Sequence, residues 1–160
     1  MIRRLALALG LSTLLAAPAA AQIPVLDIRL GAQAVMPQGD LGTFYKGGFG
    51  AYGRVGVPLG MIKLMGTATW TRLPGKSITV LGIPATIDDQ DVVGLTAGPH
   101  LSLPLVDAGL EFGYFSNFEK FGIVPSVSVG LLKFDLMASY TIVNADPKAN
   151  WVALGAGLRF

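Results

Sequence analysis

Apolar and polar residues alternate with a period of two along most of this chain. That is the repeat of strands with one face in each of two environments, not of amphipathic helices. Leu26, Ile28, Leu30, Ala32 and Ala34 share one face, and Asp27, Arg29, Gly31 and Gln33 the other. Phe49, Ala51, Val55 and Val57 oppose Gly50, Tyr52, Arg54 and Gly56. Ile62, Leu64, Ala68 and Trp70 oppose Lys63, Thr67, Thr69 and Thr71. A fourth run sets Val93, Leu95, Ala97, Leu101 and Leu103 against Gly94, Thr96, His100 and Ser102. A fifth sets Ala108, Leu110, Phe112 and Tyr114 against Asp107, Gly109, Glu111 and Gly113. Ile123, Val127, Val129 and Leu131 then face away from Ser126, Ser128 and Gly130, and Phe134, Leu136, Ala138, Tyr140 and Ile142 from Asp135, Ser139 and Thr141. The closing stretch NWVALGAGLRF repeats the pattern with Val152, Leu154, Ala156, Leu158 and Phe160. The pattern predicts eight strands.

The connections between these runs alternate in length. Long ones fall at 37–48, 73–90, 116–122 and 144–150, and short ones at 58–60, 104–105 and 132–133. This is the rhythm of an antiparallel up-and-down sheet. A last strand that ends flush on its own apolar alternation is expected to pair with the first, which closes a barrel and removes both edges. Asp27 and Arg159 are then inward-facing neighbours at the end that carries the termini.

Composition decides where such a barrel sits. Mean hydropathy is +0.58 and only 14% of residues are charged, yet past the amino-terminal segment no apolar run is long enough for a membrane helix. A chain this apolar without a membrane helix spans a bilayer as a closed barrel or has an unusually large soluble core. The polar faces settle the choice. Asp27, Arg29, Arg54, Lys63, Asp107, Glu111, Asp135 and Arg159 make little sense as a soluble core. They fit the lumen of a transmembrane barrel whose other face meets lipid. Long outer loops with tight inner turns belong to the same arrangement. Phe44, Tyr45, Phe49, Trp70, Tyr114, Phe115, Phe118, Phe121 and Trp151 are expected at the outer rim, and Phe134 and Phe160 at the inner one, as aromatic girdles.

The first 21 residues, MIRRLALALGLSTLLAAPAAA, have two arginines, an apolar run from Leu5 to Ala17 and a small-residue cleavage pattern. They read as a cleavable signal peptide, leaving 22–160 as one barrel domain. Without Arg3 and Arg4, 12 basic residues become 10, against 10 acidic ones. The net charge of zero offers no basic face for nucleic acid.

The signal segment, the eight alternating strands and the terminal VALGAGLRF together resemble the small outer-membrane β-barrel proteins of the opacity-protein and OmpA-barrel type. PQGDLGTFYKGGFG looks like that family's first loop leading into its second strand. The resemblance implies a location in the bacterial outer membrane and a structural or surface-interaction role as a monomer without enzymatic activity. It also implies that Leu154, Ala156, Leu158 and Phe160 form the signal read by the barrel-assembly machinery.

Eight strands enclose a space that side chains can fill. The charges, together with His100, cluster towards the inner ends of their strands, with Glu111 near the middle. Arg29, Arg54 and Lys63 come from strands one to three, and Asp107, Glu111 and Asp135 from strands five and seven. Opposed walls of this kind are expected to pair and plug the lumen, because a lone buried ion is costly. A narrow channel is the alternative. Two sharper readings also stand as alternatives: a lipid hydrolase built on His100, Ser102 and Glu111, and a secreted soluble barrel carrying an apolar ligand in an apolar lumen. In the second long loop, Ile78, Val80, Leu81, Ile83 and Ile87 mark either a partner surface within 73–90 or a hairpin extending the third and fourth strands. Asp88, Asp89 and Asp91 lack the spacing of a hard-cation loop. No P-loop, zinc cluster or dinucleotide glycine pattern is present, so no cofactor is expected.

Overall fold

The computed structural model describes residues 26–80, 83–145 and 148–160, and only the backbone for 78–80 and 83–85. The signal-peptide expectation for 1–21 lies outside the described residues. The strands are β1 (Asp27–Gln38), β2 (Gly48–Leu59), β3 (Ile62–Leu73), β4 (Ser77–Val80), β5 (Ile83–Thr86), β6 (Gln90–Ser102), β7 (Val106–Phe115), β8 (Lys120–Leu131), β9 (Phe134–Val143) and β10 (Ala149–Arg159). A short helix, α1 (Gly39–Phe44), follows β1. Eight strands close into a barrel in the order β1-β10-β9-β8-β7-β6-β3-β2, each antiparallel to its neighbours.

The closing seam runs from Arg29 opposite Arg159 to Gln38 opposite Asn150. Even the last residue is held, since Phe160 N donates to Ile28 O at 2.8 Å. β4 and β5 form a separate two-stranded sheet within the second long connection. The side chains of Ile78, Val80, Leu81 and Ile83, expected as part of a partner surface, lie outside what is described.

The outer face is a belt of exposed aliphatic residues, among them Leu30, Leu64, Leu95, Leu136 and Leu154. Towards the long-loop end, Phe49 stacks edge-on against Trp70 and Tyr114 against Phe121, with ring centroids 5.9 and 5.7 Å apart. Phe134 and Phe160 are exposed at the opposite end. A soluble carrier with an apolar lumen and a polar exterior is therefore not what this chain builds.

Two aromatic residues expected in the girdle are instead inside. Phe115 is 2% exposed and Trp151 is 3% exposed, and their rings meet edge-on at 5.5 Å. The reason is strand parity: each is one residue removed from its outward neighbour, Tyr114 or Val152, and so must point inward. They belong to an apolar cluster with Val35, Leu41, Leu73, Val92, Val143, Ala149 and Ala153 that fills the outer end of the barrel, with Tyr45 and Phe118 packed on top. The same inward positions that carry Asp, Arg and Thr lower down thus turn apolar near the loops.

The luminal glycines make room for these rings. A Cβ built on Gly94 falls 2.7 Å from Phe115, and one built on Gly122 falls 2.9 Å from the other edge of the same ring. Gly94→Val is expected to destabilise the barrel by about 1–3 kcal/mol through overpacking. Urea unfolding from lipid vesicles measures the loss, and adding Phe115→Ala should return part of it.

Candidate functional site: the charged lumen and the outer mouth

Below the apolar cluster the lumen is filled by charge in two tiers. The inner tier centres on Arg29, which is fully buried. Its Nε and one terminal nitrogen bind both oxygens of Asp27 at 3.0 and 2.6 Å. The same terminal nitrogen donates to Asp107. The other reaches Asp135 Oδ1 at 2.7 Å and Ser128 Oγ at 2.8 Å. One planar guanidinium with five N–H donors can satisfy this many acceptors at once; a lysine could not. Lys63 Nζ bridges Asp27 and Asp107. Arg159 closes the tier from the seam, with Nε 3.1 Å from Asp27 Oδ1.

The second tier lies nearer mid-barrel and centres on Glu111. Its Oε1 accepts from Arg54 at 3.0 Å, from Thr67 Oγ1 at 3.0 Å and from His100 Nε2 at 2.9 Å. Thr96 Oγ1 donates to its Oε2 at 2.5 Å. Arg54 also reaches Thr67 Oγ1 and the sulfur of Met137. The contact with Glu111 assigns the imidazole proton to His100 Nε2, and Nδ1 is buried without a partner. The His100 ring lies over Gly109, where a Cβ would overlap it.

Four carboxylates (Asp27, Asp107, Glu111, Asp135) thus meet four cations (Arg29, Arg54, Lys63, Arg159). Asp27, Arg29 and Asp135 are separated by up to 108 positions in the chain yet share one cluster. Every barrel strand contributes to one tier or the other. Between the charged tiers and the apolar cluster remains a cavity of about 30 Å³, lined by Gln33, Thr69, Ser126 and Ser139 among others. That is room for one or two water molecules.

The hydrolase arrangement is not assembled. His100 and Glu111 come together, but Ser102 lies two residues from His100 on the same strand and opposite Asp107. His100 Nε2 is committed to Glu111, and Ser102 is not among its partners. The acidic loop residues do not gather into a cluster of their own either. Asp89 Oδ2 is 3.0 Å from Arg72, Asp91 is 3.9 Å from it, and the Gly75 amide donates to Asp89 Oδ1. Arg72 first, and then that amide, hold the exposed Asp89 carboxyl below the usual carboxylate range. Among the described residues no group of His, Asp and Glu is arranged to hold a metal.

A second feature, absent from the sequence reading, sits at the loop end. A cavity of about 590 Å³ is bounded by Leu41, Phe44 and Tyr45 around α1, Ile87 and Gln90, Asn117, Phe118 and Lys120, and Ala145. All four long connections contribute to it. Its floor is the apolar cluster, through Tyr45, Phe118 and Ala145. The signal for that cluster was present in Val35, Leu73, Val92 and Val143, each two residues beyond a small or polar inward position. The cavity itself had no such signal, because it depends on how the loops fold over the mouth.

An apolar belt outside, paired charges inside and an up-and-down closed sheet define a small eight-stranded transmembrane β-barrel. No family model matches the chain, and no curated protein matches it in sequence. Solved structures do match. The crystal structure of Ail, the attachment invasion locus protein of Yersinia pestis, in complex with the heparin analogue sucrose octasulfate, superposes with a TM-score of 0.58 at 22% identity, covering 84% of this chain and 97% of that one. The backbone structure of Ail in a phospholipid bilayer nanodisc superposes with a TM-score of 0.55 at 20% identity, covering 84% and 98%. The likeness is one of fold: this chain builds the same small closed barrel that Ail does.

Asp135 has its ion pair with Arg29. Arg29→Met is therefore expected to lower stability by about 3–5 kcal/mol, the cost of stranding a buried charge. Asp135→Asn added to it should recover part of that loss, as read from urea titrations of the vesicle-inserted protein.

Proposed function

We propose that the protein is a monomeric, non-enzymatic barrel whose lumen is plugged by its own paired charges, and that it serves the envelope through structure and through its outer surface. The observation that carries this reading is the balance of the lumen: four buried acids against four bases, joined across the barrel, with apolar side chains stacked above them. An ion crossing would have to break these pairs and then pass the ring of Phe115 and Trp151. Single-channel recording in planar bilayers is the test. The wild-type protein is expected to be silent, and a steady open conductance would replace the plug with a channel.

The outer mouth favours surface interaction as the active part of that role. The cavity of about 590 Å³ falls in the range of small-molecule sites, which are mostly apolar with a few polar groups. In the same reading the last strand serves as the assembly signal, with Leu154, Ala156, Leu158 and Phe160 all on the lipid face. Phe160→Ser is expected to reduce the heat-modifiable, membrane-assembled fraction in cells while leaving the refolded protein's mobility shift in detergent intact.

A further inference from the structure

The inner rim of the barrel is unusually apolar for a surface that turns towards water. Its three turns are Leu59-Gly60-Met61, Leu103-Pro104-Leu105 and Leu131-Leu132-Lys133. Met61 and Leu105 are largely exposed, and Leu132 is 98% exposed. Leu132 also has φ of 57°, a backbone region that bulky residues seldom occupy. In the β2–β3 turn the positive φ falls on Gly60 instead. Among the described residues nothing packs on the Leu132 side chain to offset that strain.

These residues continue the lipid-facing belt without a break. On β2 the outward face runs from Phe49 in the outer girdle to Leu59, and on β8 from Phe121 to Leu131, ten residue steps in each case. Ten steps at ~3.3 Å each, tilted by ~40°, rise about 25 Å, the height of the apolar band of such barrels. With the outer girdle at the outer interface, Leu59 and Leu131 reach the inner boundary of the hydrocarbon. The turns lie immediately beyond it, at headgroup level.

Charge agrees with this placement. Asp27, Asp107 and Asp135, the carboxylates at this end, are buried in the lumen. Among the described residues, and apart from the terminal carboxylate, the rim presents Lys133 and the partly exposed Arg159. Lysine and arginine beside apolar turns keep their stems in the acyl region and their heads at the phosphates.

We propose that the inner rim is a phospholipid-binding surface. Met61, Leu105 and Leu132 are immersed in the inner leaflet, Lys133 lies on a phosphodiester, and no part of the described rim projects into the periplasm to meet a protein. The chain has no cysteine, so a single nitroxide can be placed cleanly at Met61→Cys, Leu105→Cys or Leu132→Cys, with Asn117→Cys in the outer loops as the aqueous control. Each full barrel is inserted into phosphatidylethanolamine–phosphatidylglycerol vesicles and checked for the folded mobility shift. Collision of the label with oxygen is then compared with collision with a water-soluble nickel chelate present on both sides. The expected result is that oxygen dominates at the three rim positions and the chelate at position 117, with the rim labels within ~5–10 Å of the phosphate plane. If the chelate reaches the rim labels as freely as it reaches position 117, the rim stands in water as a surface for a periplasmic partner and the proposal is overturned.

Discussion

In a hydrocarbon layer no backbone N–H or C=O can turn to water, so every strand of a spanning sheet must have a partner on both sides. The seam between β1 and β10 meets that condition, and the rest of the structure depends on it. Once Arg29 stands opposite Arg159 and Gln38 opposite Asn150, every strand has two neighbours and a fixed register. A slip of one residue would turn every charge of β1 to the lipid and every aliphatic residue to the lumen. The hydrogen-bonded terminal Phe160 extends the closure to the last residue.

Closure then dictates the chemistry of the inside. Eight strands bring the inward charges of opposite walls within reach of one another, and they pair there with Ser128, Thr67 and Thr96 completing their hydrogen bonds. Three carboxylates approach within reach of the single guanidinium of Arg29, and Lys63 and Arg159 add positive charge beside Asp27, with Lys63 also beside Asp107. Glu111 answers Arg54 in the second tier. The two tiers tie strands on opposite walls together, which backbone pairing between neighbours cannot do. Above them the filling changes from ions to Phe115, Trp151 and aliphatic side chains, seated over glycines that leave the rings space.

The two ends of the barrel differ for the same reason that the two faces do. At the loop end, α1 and the long connections fold over the apolar cluster and leave a cavity lined mostly by aromatic and aliphatic groups. At the other end, turns of two or three residues can do nothing but continue their strands. Their exposed side chains Met61, Leu105 and Leu132 are apolar, like those of the belt above them.

By itself the sequence determined the eight barrel strands, the face most side chains take and the alternation of long and short connections, because period-two alternation is a local property that needs no partner to be read. The β4–β5 hairpin and the exact strand ends lay beyond it. Asp27, Arg29, Lys63 and Glu111 could be placed in the lumen on parity alone. Parity also carried the inward turn of Phe115 and Trp151, although their bulk had pointed to the girdle. Only the tertiary structure decided which charges meet, since Arg29 and Asp135 are 106 positions apart and become neighbours only when the sheet has curled shut. It likewise decided that His100 turns to Glu111 and not to Ser102, that Asp89 pairs with Arg72, and that a cavity opens at the mouth. Those features depend on the curvature of a closed sheet and on loops packing against one another, and neither is written in the repeat of any single strand.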